Sequence, residues 1–473
     1  MSQKKETVIL LLAILVTLGL LGIGGWLFKK QTENKSVSTD KPTINTDSST
    51  STAKERISFG EKSLLLGEIS TAKKAGLEAM AAKKYHEAIT NFQAALKLKS
   101  NDPETLIFLT NAQIGTNKSY TIAVSVPMAV YPDGALEVLR GVAQAQAEIN
   151  STGGINGVPL QVAIASDDDK PEIAQQVAKS LAQDPKVLGV VGHFTSDTTL
   201  AAKNVYDAAQ LVAISPVSTA VKLSNSSHYV FRTVPSDYIA ARALANYMVK
   251  NIQRKNVAVY FNSQSDYSQS IKAEFMTAVS LEGGQVVNEF DLSKSDFSAA
   301  SSIDMATKQG VQALMLAPNE DVLDKSLQVI QVNQKRLPIL GGDDVYNPKT
   351  LEIGRDAAVG MVLAVPWQID ANRNSAFVQQ SRQLWHADVN WRTALAYDAA
   401  RALIVAIQKN PTRTGVQQAL ASADFAPTGA SGVIRFLPSG DRNAPIQLVT
   451  IVPGQRSRTG YDFVPLPSKS TNP

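Results

Sequence analysis

The sequence predicts an α/β protein whose main body is two doubly wound parallel-sheet lobes. Two observations carry this reading. From Tyr120 onward, eight short apolar runs (YTIAVSV, LQVAIA, VLGVVG, QLVAIS, NVAVYF, VQALML, LPILGG and MVLAVP) are mostly followed by amphipathic stretches of helical length. Buried strands alternating with helices give parallel sheets covered by helices. These strands are also too many for one modest sheet, and the pattern breaks at VPSDY, residues 234–238, which divides them between two units. With 473 residues, 44% of them hydrophobic and 19% charged, the chain can build more than one core.

The elements before Tyr120 differ in kind. Residues 1–30 read as a short cytoplasmic tail and a transmembrane anchor, because the uncharged run from Val8 to Phe28 would span roughly 30 Å as a helix, one hydrocarbon core. Trp26 and Phe28 sit where interfacial aromatics belong. A cleaved secretory signal is the competing reading, but the run exceeds a usual signal core and no A-x-A site follows it. Lys4 and Lys5 on one side are matched by Lys29 and Lys30 on the other, so the charges do not orient the helix. The default is a single-pass protein of the inner (plasma) membrane with its main domain periplasmic or extracellular.

Residues 31–60 contain too few apolar side chains to offset ordering entropy and are expected as a disordered linker. Residues 61–116 change to Ala, Leu and Lys at helical spacing. Within them Gly76, Tyr85, Ala88, Phe92 and Ala95 fall where a tetratricopeptide repeat has its small crossing residues and aromatics, and the segment resembles that family. The closing proline is displaced to Pro103, and an ordinary helical hairpin is the alternative. One repeat and the next helix, PETLIFLTNAQIG, bury little by themselves. They are expected to pack on the following domain, on a second copy or on a partner protein.

In open α/β sheets a ligand sits beyond the carboxyl ends of strands, where the first turns of the next helices expose unpaired N–H groups. VLGVVGHFTSDTTLAA, residues 187–202, has this form: Thr195 or Ser196 near the N-cap, Asp197 and Thr198 in the first turn. Free donors and the helix dipole favour an anion there, and simple N-capping is the other reading.

The neighbouring stretches bear on that choice. INSTGGINGVPLQVAIASDDD (149–169), VVGHFTSDTT, ISPVSTAVKLS (214–224) and YVFRTVPSD (229–237) are followed by VAVYFNSQSDYSQS, LPILGGDDVYNP and WRTALAYDAARALI. In this order they resemble the type I periplasmic solute-binding proteins, specifically the leucine/isoleucine/valine-binding family, over Tyr120 to Gly454. The resemblance implies two lobes joined by three crossings, near 234–236, 365–367 and 437–445. Lobe 1 would comprise about 120–235 and 367–437, lobe 2 about 236–366 and 438–454, with 455–473 left as a C-terminal tail.

The resemblance also implies a ligand set. An amino-acid carboxylate would meet the hydroxyl and helix N–H groups at Thr195 and Ser196. The Val217 carbonyl and Thr219 would come from the next loop, and Tyr267 would cover the ligand. Asp343, where the family commonly has Glu, would pair with the ammonium, and Asp344 is the alternative one residue on. A zwitterion needs donors at one end and acceptors at the other, because burying either charge unpaired costs several kcal/mol. Asp is a methylene shorter than Glu, so the ammonium must come closer, use water, or be absent. Tyr131 and Asp133 lie in the first strand-to-helix loop and either reach the ligand or form a solvated PDG turn. Trp391 and Arg392 open a helix at a cleft-facing position, where Arg392 either meets a ligand carboxylate or forms a surface ion pair. Selectivity is expected from the loops around Tyr131, Asn319 and Trp391.

Composition limits the function classes. There is no cysteine, which removes disulfides, thiolate nucleophiles, thiolate metal sites and a lipid-bearing N-terminal Cys. A net charge of +4 without a basic stripe argues against nucleic acid. His86, His193, His228 and His386 show no ligand-like spacing, and His193 reads as a hydrogen-bonded core or loop residue. Arg232 reads as structural, and GGINGV as a turn without the Lys-Ser/Thr of a phosphate loop. No nucleophile–base pair, metal cluster or cofactor loop is visible, so neither an enzyme nor a cofactor is expected. The expected function is a membrane-tethered extracytoplasmic receptor for an amino acid (branched-chain or related) or small amide, working with an ABC-type permease. The alternative is a ligand-sensing ectodomain or a degenerated interaction module with a membrane partner, the helical repeat supplying a further protein contact.

Overall fold

The computed structural model describes residues 53–467. The expected anchor and most of the expected linker lie outside the described residues; among those described, no helix is long and apolar enough to cross a membrane.

Two sheets organise the chain. The first contains β1 (Ile57–Ser58), β2 (Tyr120–Val126), β3 (Leu160–Ser166), β4 (Val187–Val191), β5 (Val212–Ser215) and β6 (Val230–Arg232), in the order β1-β3-β2-β4-β5-β6. The second is built from β7 (Asn256–Phe261), β8 (Gln285–Asp291), β9 (Ala313–Ala317), β10 (Ile339–Gly341) and β11 (Val362–Val365). A small hairpin, β12 (Thr428–Gly429) and β13 (Gly432–Val433), precedes β14 (Gln447–Pro453) and β15 (Tyr461–Pro465). The last two complete the second sheet, whose order is β15-β14-β11-β10-β9-β7-β8. Every residue of β4 and β9 is buried, because helices cover both faces of a parallel sheet and leave no position for a polar side chain.

The chain passes between the sheets three times. After β6 the helix Asp237–Asn246 packs on the Asp266–Leu281 helix of the second lobe, and after β11 the helix Trp391–Lys409 lies along Pro132–Ser151 of the first. The chain then returns to pair β14 antiparallel with β11, Leu363 opposite Val449.

Two expectations are corrected at the ends. The stretch expected as linker does not run to residue 60: Ile57 and Ser58 pair antiparallel with Ala165 and Ile164, closing the free edge of the first sheet. The stretch expected as a C-terminal tail continues the second sheet, where Ile451 faces Phe463, and Phe463 stacks on Tyr346 with ring centroids 4.1 Å apart. Both strands are short and lie at edges, so neither shows a continuous apolar run.

Within residues 61–116 helix begins at Thr71, later than the expected segment start, and runs as Thr71–Ala81, Tyr85–Leu98 and Pro103–Ile114. The first two cross at Gly76, where a Cβ would lie 2.5 Å from the Phe92 ring. Lys73 is buried between Asp102 and Glu104, 2.8 Å from each, which ties the first helix to the third. Of the three packing alternatives, the fold uses the following domain: the Pro103–Ile114 helix lies on β3 and on Pro132–Ser151.

Candidate functional site

The carboxyl ends of the strands in the two sheets face each other across a cleft. On the first lobe, Thr195 has extended backbone and caps the Ser196–Ala209 helix by accepting from the Thr198 N–H. The Ser196 hydroxyl accepts from the Ala220 N–H at 3.2 Å, which fixes the loop carrying Val217. Arg232 holds the same loop from behind, donating to the Ala220 carbonyl at 2.9 Å and to Asp441 at 2.7 Å. Its role is thus in positioning. Beneath the loop, buried His193 bonds Asp167 at 2.6 Å and the Tyr206 hydroxyl at 2.8 Å.

On the second lobe, Ser265 caps the Asp266–Leu281 helix, and Tyr267 in its first turn donates to Asp343 at 2.7 Å. A side chain at Gly342 would collide with the Tyr267 hydroxyl, so the backbone must be bare there for this bond to form.

The lobes touch directly. Tyr131 donates to Asp321, the Asp266 N–H donates to Asp197 at 3.1 Å, and the Val221 N–H donates to Ser270 at 2.9 Å. Arg392 donates to Asp344 at 3.0 Å. Between these contacts lies a cavity of about 170 Å³.

The cavity brings together most of the residues singled out in the sequence. Tyr131, Thr195, Ser196, Val217, Tyr267 and Asp343 line it, together with Asp344 and Asn319. Thr219, Trp391 and Arg392 do not. Thr219 is buried in the loop behind, its carbonyl accepting from the Asp237 N–H at 2.9 Å. Trp391 is completely buried, with the Arg392 guanidinium over its ring at 4.3 Å. Arg392 therefore takes neither expected role: it is a buried partner of Asp344 rather than a lining residue or a surface charge. Tyr131 is held across the cleft by Asp321, whereas Pro132 and Asp133 are exposed in the first turn of the Pro132–Ser151 helix.

Sequence reasoning assigned no role to Asp169, Glu320 and Asp321, which also line the cavity. A signal existed: each follows a buried strand at its carboxyl end, β3 before SDDDK and β9 before NED, where a ligand is expected.

The lining is acidic, and burial shows in its titration. Burial pushes Asp169 up to about 7, with nearby Asp167, Asp321 and Asp197 adding to the rise and the Thr195 hydroxyl opposing it. Asp343 is raised by burial against the pull of the Tyr267 hydroxyl and Arg392. Asp344 is raised further by burial and by Asp343, again against Arg392. Among the described residues, no group of three or more His, Cys, Asp or Glu is disposed to hold a metal ion.

A model of the periplasmic binding protein family matches residues 119–457. This chain belongs to the periplasmic binding protein family. The "Amino acid binding protein" of Pseudomonas aeruginosa is 35% identical to it over 133 residues, covering 28% of this chain and 35% of that relative. This binding protein thus spans about a third of that relative's length. The "Leucine-, isoleucine-, valine-, threonine-, and alanine-binding protein" of the same organism is 26% identical over 322 residues, covering 65% of this chain and 83% of that one. Solved structures share its fold. A substrate-binding protein of an ABC transporter from Desulfitobacterium hafniense, in complex with Leu, superposes with a TM-score of 0.63 at 21% identity, covering 73% of this chain and 100% of that one. A solute-binding protein from R. palustris in complex with benzoate gives 0.64 at 15% identity, over 74% and 95%. The relatives are solute-binding proteins, not enzymes.

Proposed function

We propose that this periplasmic binding protein captures an amino acid, branched-chain or related, or a small amide in the cleft between its lobes and presents it to an ABC-type permease. Lobe 1 is read as about 120–235 and 367–437, lobe 2 as about 236–366 and 438–465. Val8–Phe28 would hold the protein at the membrane, and residues 61–116 would act as a tetratricopeptide-like brace on lobe 1. In this reading Ser196, with the N–H groups of its helix, meets the solute's anionic end. Asp343, oriented by Tyr267, meets its ammonium with the Val217 carbonyl.

One observation carries the proposal. Loops at the carboxyl ends of strands in two separate sheets converge on one cavity, which has a helix N-terminus on one wall and a buried carboxyl on the other. The names of the relatives support an amino acid as the solute.

The test is a thermal-shift screen of the full chain, stripped of carried-over solute by unfolding and refolding, against the amino acids and small amides. A solute at a thousand times its Kd adds about 4 kcal/mol to stability, a readily measured rise in Tm. A folded, stripped protein that responds to none would remove the proposal and leave the cleft as an interaction surface.

A further inference from the structure

The charge inside the cleft is unlike the charge of the chain. The chain carries a net +4, yet the cavity is lined by Asp169, Asp197, Glu320, Asp321, Asp343 and Asp344 and by no Lys, Arg or His. Among the described residues only Asp344 of these six has a cationic partner within 4.0 Å, Arg392. The other five accept from neutral donors. Asp169 accepts from Thr195 at 2.5 Å, Asp197 from the Asp266 N–H at 3.1 Å, Glu320 from Asn347 at 3.1 Å and Asp343 from Tyr267 at 2.7 Å. Asp321 accepts from Tyr131 and, at 2.9 Å, from Asn319.

A zwitterionic solute leaves this imbalance in place, since it brings as much negative charge as positive. Its carboxylate would also have to enter beside Asp169 and Asp197, on the wall where the Thr195 hydroxyl is already committed to Asp169. Like charges gathered around one cavity repel, and at Asp169 burial adds to that repulsion and raises the carboxyl toward neutrality. The carboxylates lie on both walls and do not converge as metal ligands do. Asp343 is more than nine-tenths buried on the cavity wall, where it accepts from Tyr267 and, among the described residues, forms no ion pair of its own. What fits is a molecule long enough to reach both walls with cationic groups at its ends.

We infer that the solute carries a net positive charge: an organic cation with two ammonium or guanidinium groups, either a basic amino acid or a diamine, in preference to a branched-chain amino acid. This rests on the solute-receptor reading above and names the solute class of that same cleft.

The test is calorimetric titration of the full chain, stripped as before, with L-lysine, L-arginine, putrescine and agmatine, and with L-leucine and L-glutamine for comparison. The expected result is that at least one of the four cations binds about tenfold or more tighter than leucine and glutamine, with the margin shrinking as salt is added. Comparing lysine with putrescine then tells whether a carboxylate is tolerated. Asp169→Asn and Asp321→Asn, one on each wall, should each reduce the preference for the cation; a preference unchanged in both folded variants would overturn the inference. Leucine or glutamine binding as tightly as every cation would also overturn it while leaving the receptor reading intact. No binding by any of the six in a folded, stripped protein would count against both.

Discussion

Arg392 on the first lobe and Asp344 on the second form an ion pair at 3.0 Å in which both side chains are largely buried. The pair bridges the lobes and flanks the cavity. Breaking a buried pair from one side leaves the other charge without compensation, which costs about 3–5 kcal/mol in proteins generally. Arg392→Ala is therefore expected to lower both Tm and solute affinity, and Asp344→Asn added to it should recover most of the loss. A double-mutant cycle measured by thermal denaturation checks this. Additive single losses would mean that the two groups act independently.

Asp237 leads to a prediction of opposite sign to the usual one for a carboxylate. It is buried, and burial together with nearby Asp343 raises its carboxyl to about 7, against the Ser270 and Thr219 hydroxyls and Arg232. The unfolded chain loses this proton near 3.8, so between about 4 and about 7 the folded state binds more protons than the unfolded state. Its contribution to stability is present at low pH and is lost as pH rises through about 7. Asp237→Asn should consequently raise Tm more at pH 8 than at pH 5, with a gain at pH 8 on the order of a few kcal/mol. An equal change at both pH values would show that the carboxyl is ionised in the fold.

The legible part of the fold is the part buried on both faces. All eight apolar runs became strands because a parallel strand between two helical layers has no polar position to blur the pattern. β8, reading QVVNEFD at a sheet edge, and β15, reading YDFVP, have partly exposed faces and no such run, while β14, QLVTIVP, is apolar but stands outside the strand–helix alternation. The same physics limits the site. That Ser196, Val217, Tyr267 and Asp343 come to one cavity was legible, because each follows a strand at its carboxyl end in an order that resembles a known family. Nothing local in the sequence reveals that Tyr131 meets Asp321 or that Arg392 meets Asp344. Those pairs join different lobes, and the partners are far apart along the chain.

Asn111 is the fastening of the helical segment to the first lobe. Its amide donates to the Val162 carbonyl at 2.8 Å and the Phe59 carbonyl at 2.9 Å, and accepts from the Val162 N–H at 3.1 Å. It thus serves the outer edge of β3 as a further strand would. Asn111→Ala would leave those buried backbone groups unpaired, at about 1–3 kcal/mol each. Residues 59–116 should then be cut by protease faster than in the wild type, while the sheet behind them persists. Unchanged cleavage would assign the attachment to the segment's other contacts, apolar packing and the hydrogen bond from Arg140 to Asn101 at 2.6 Å.

Ser196 can be tested for the anion-binding role expected at the start of the Ser196–Ala209 helix. Its oxygen accepts from the Ala220 N–H, which leaves its hydrogen available to an acceptor in the cavity it lines. Ser196→Ala removes both functions, and Ser196→Thr keeps the hydroxyl. The Ala variant should lose about 1–3 kcal/mol of affinity for whichever solute binds the wild type. The Thr variant, if its extra methyl is accommodated, should lose less. A loss shared equally by every solute points to the loop, since a displaced Val217 carbonyl affects all of them; a loss confined to solutes bearing an acceptor points to the hydroxyl itself. An Ala variant that binds every solute as the wild type does would reduce Ser196 to part of a helix cap and transfer recognition to the carboxylates around it.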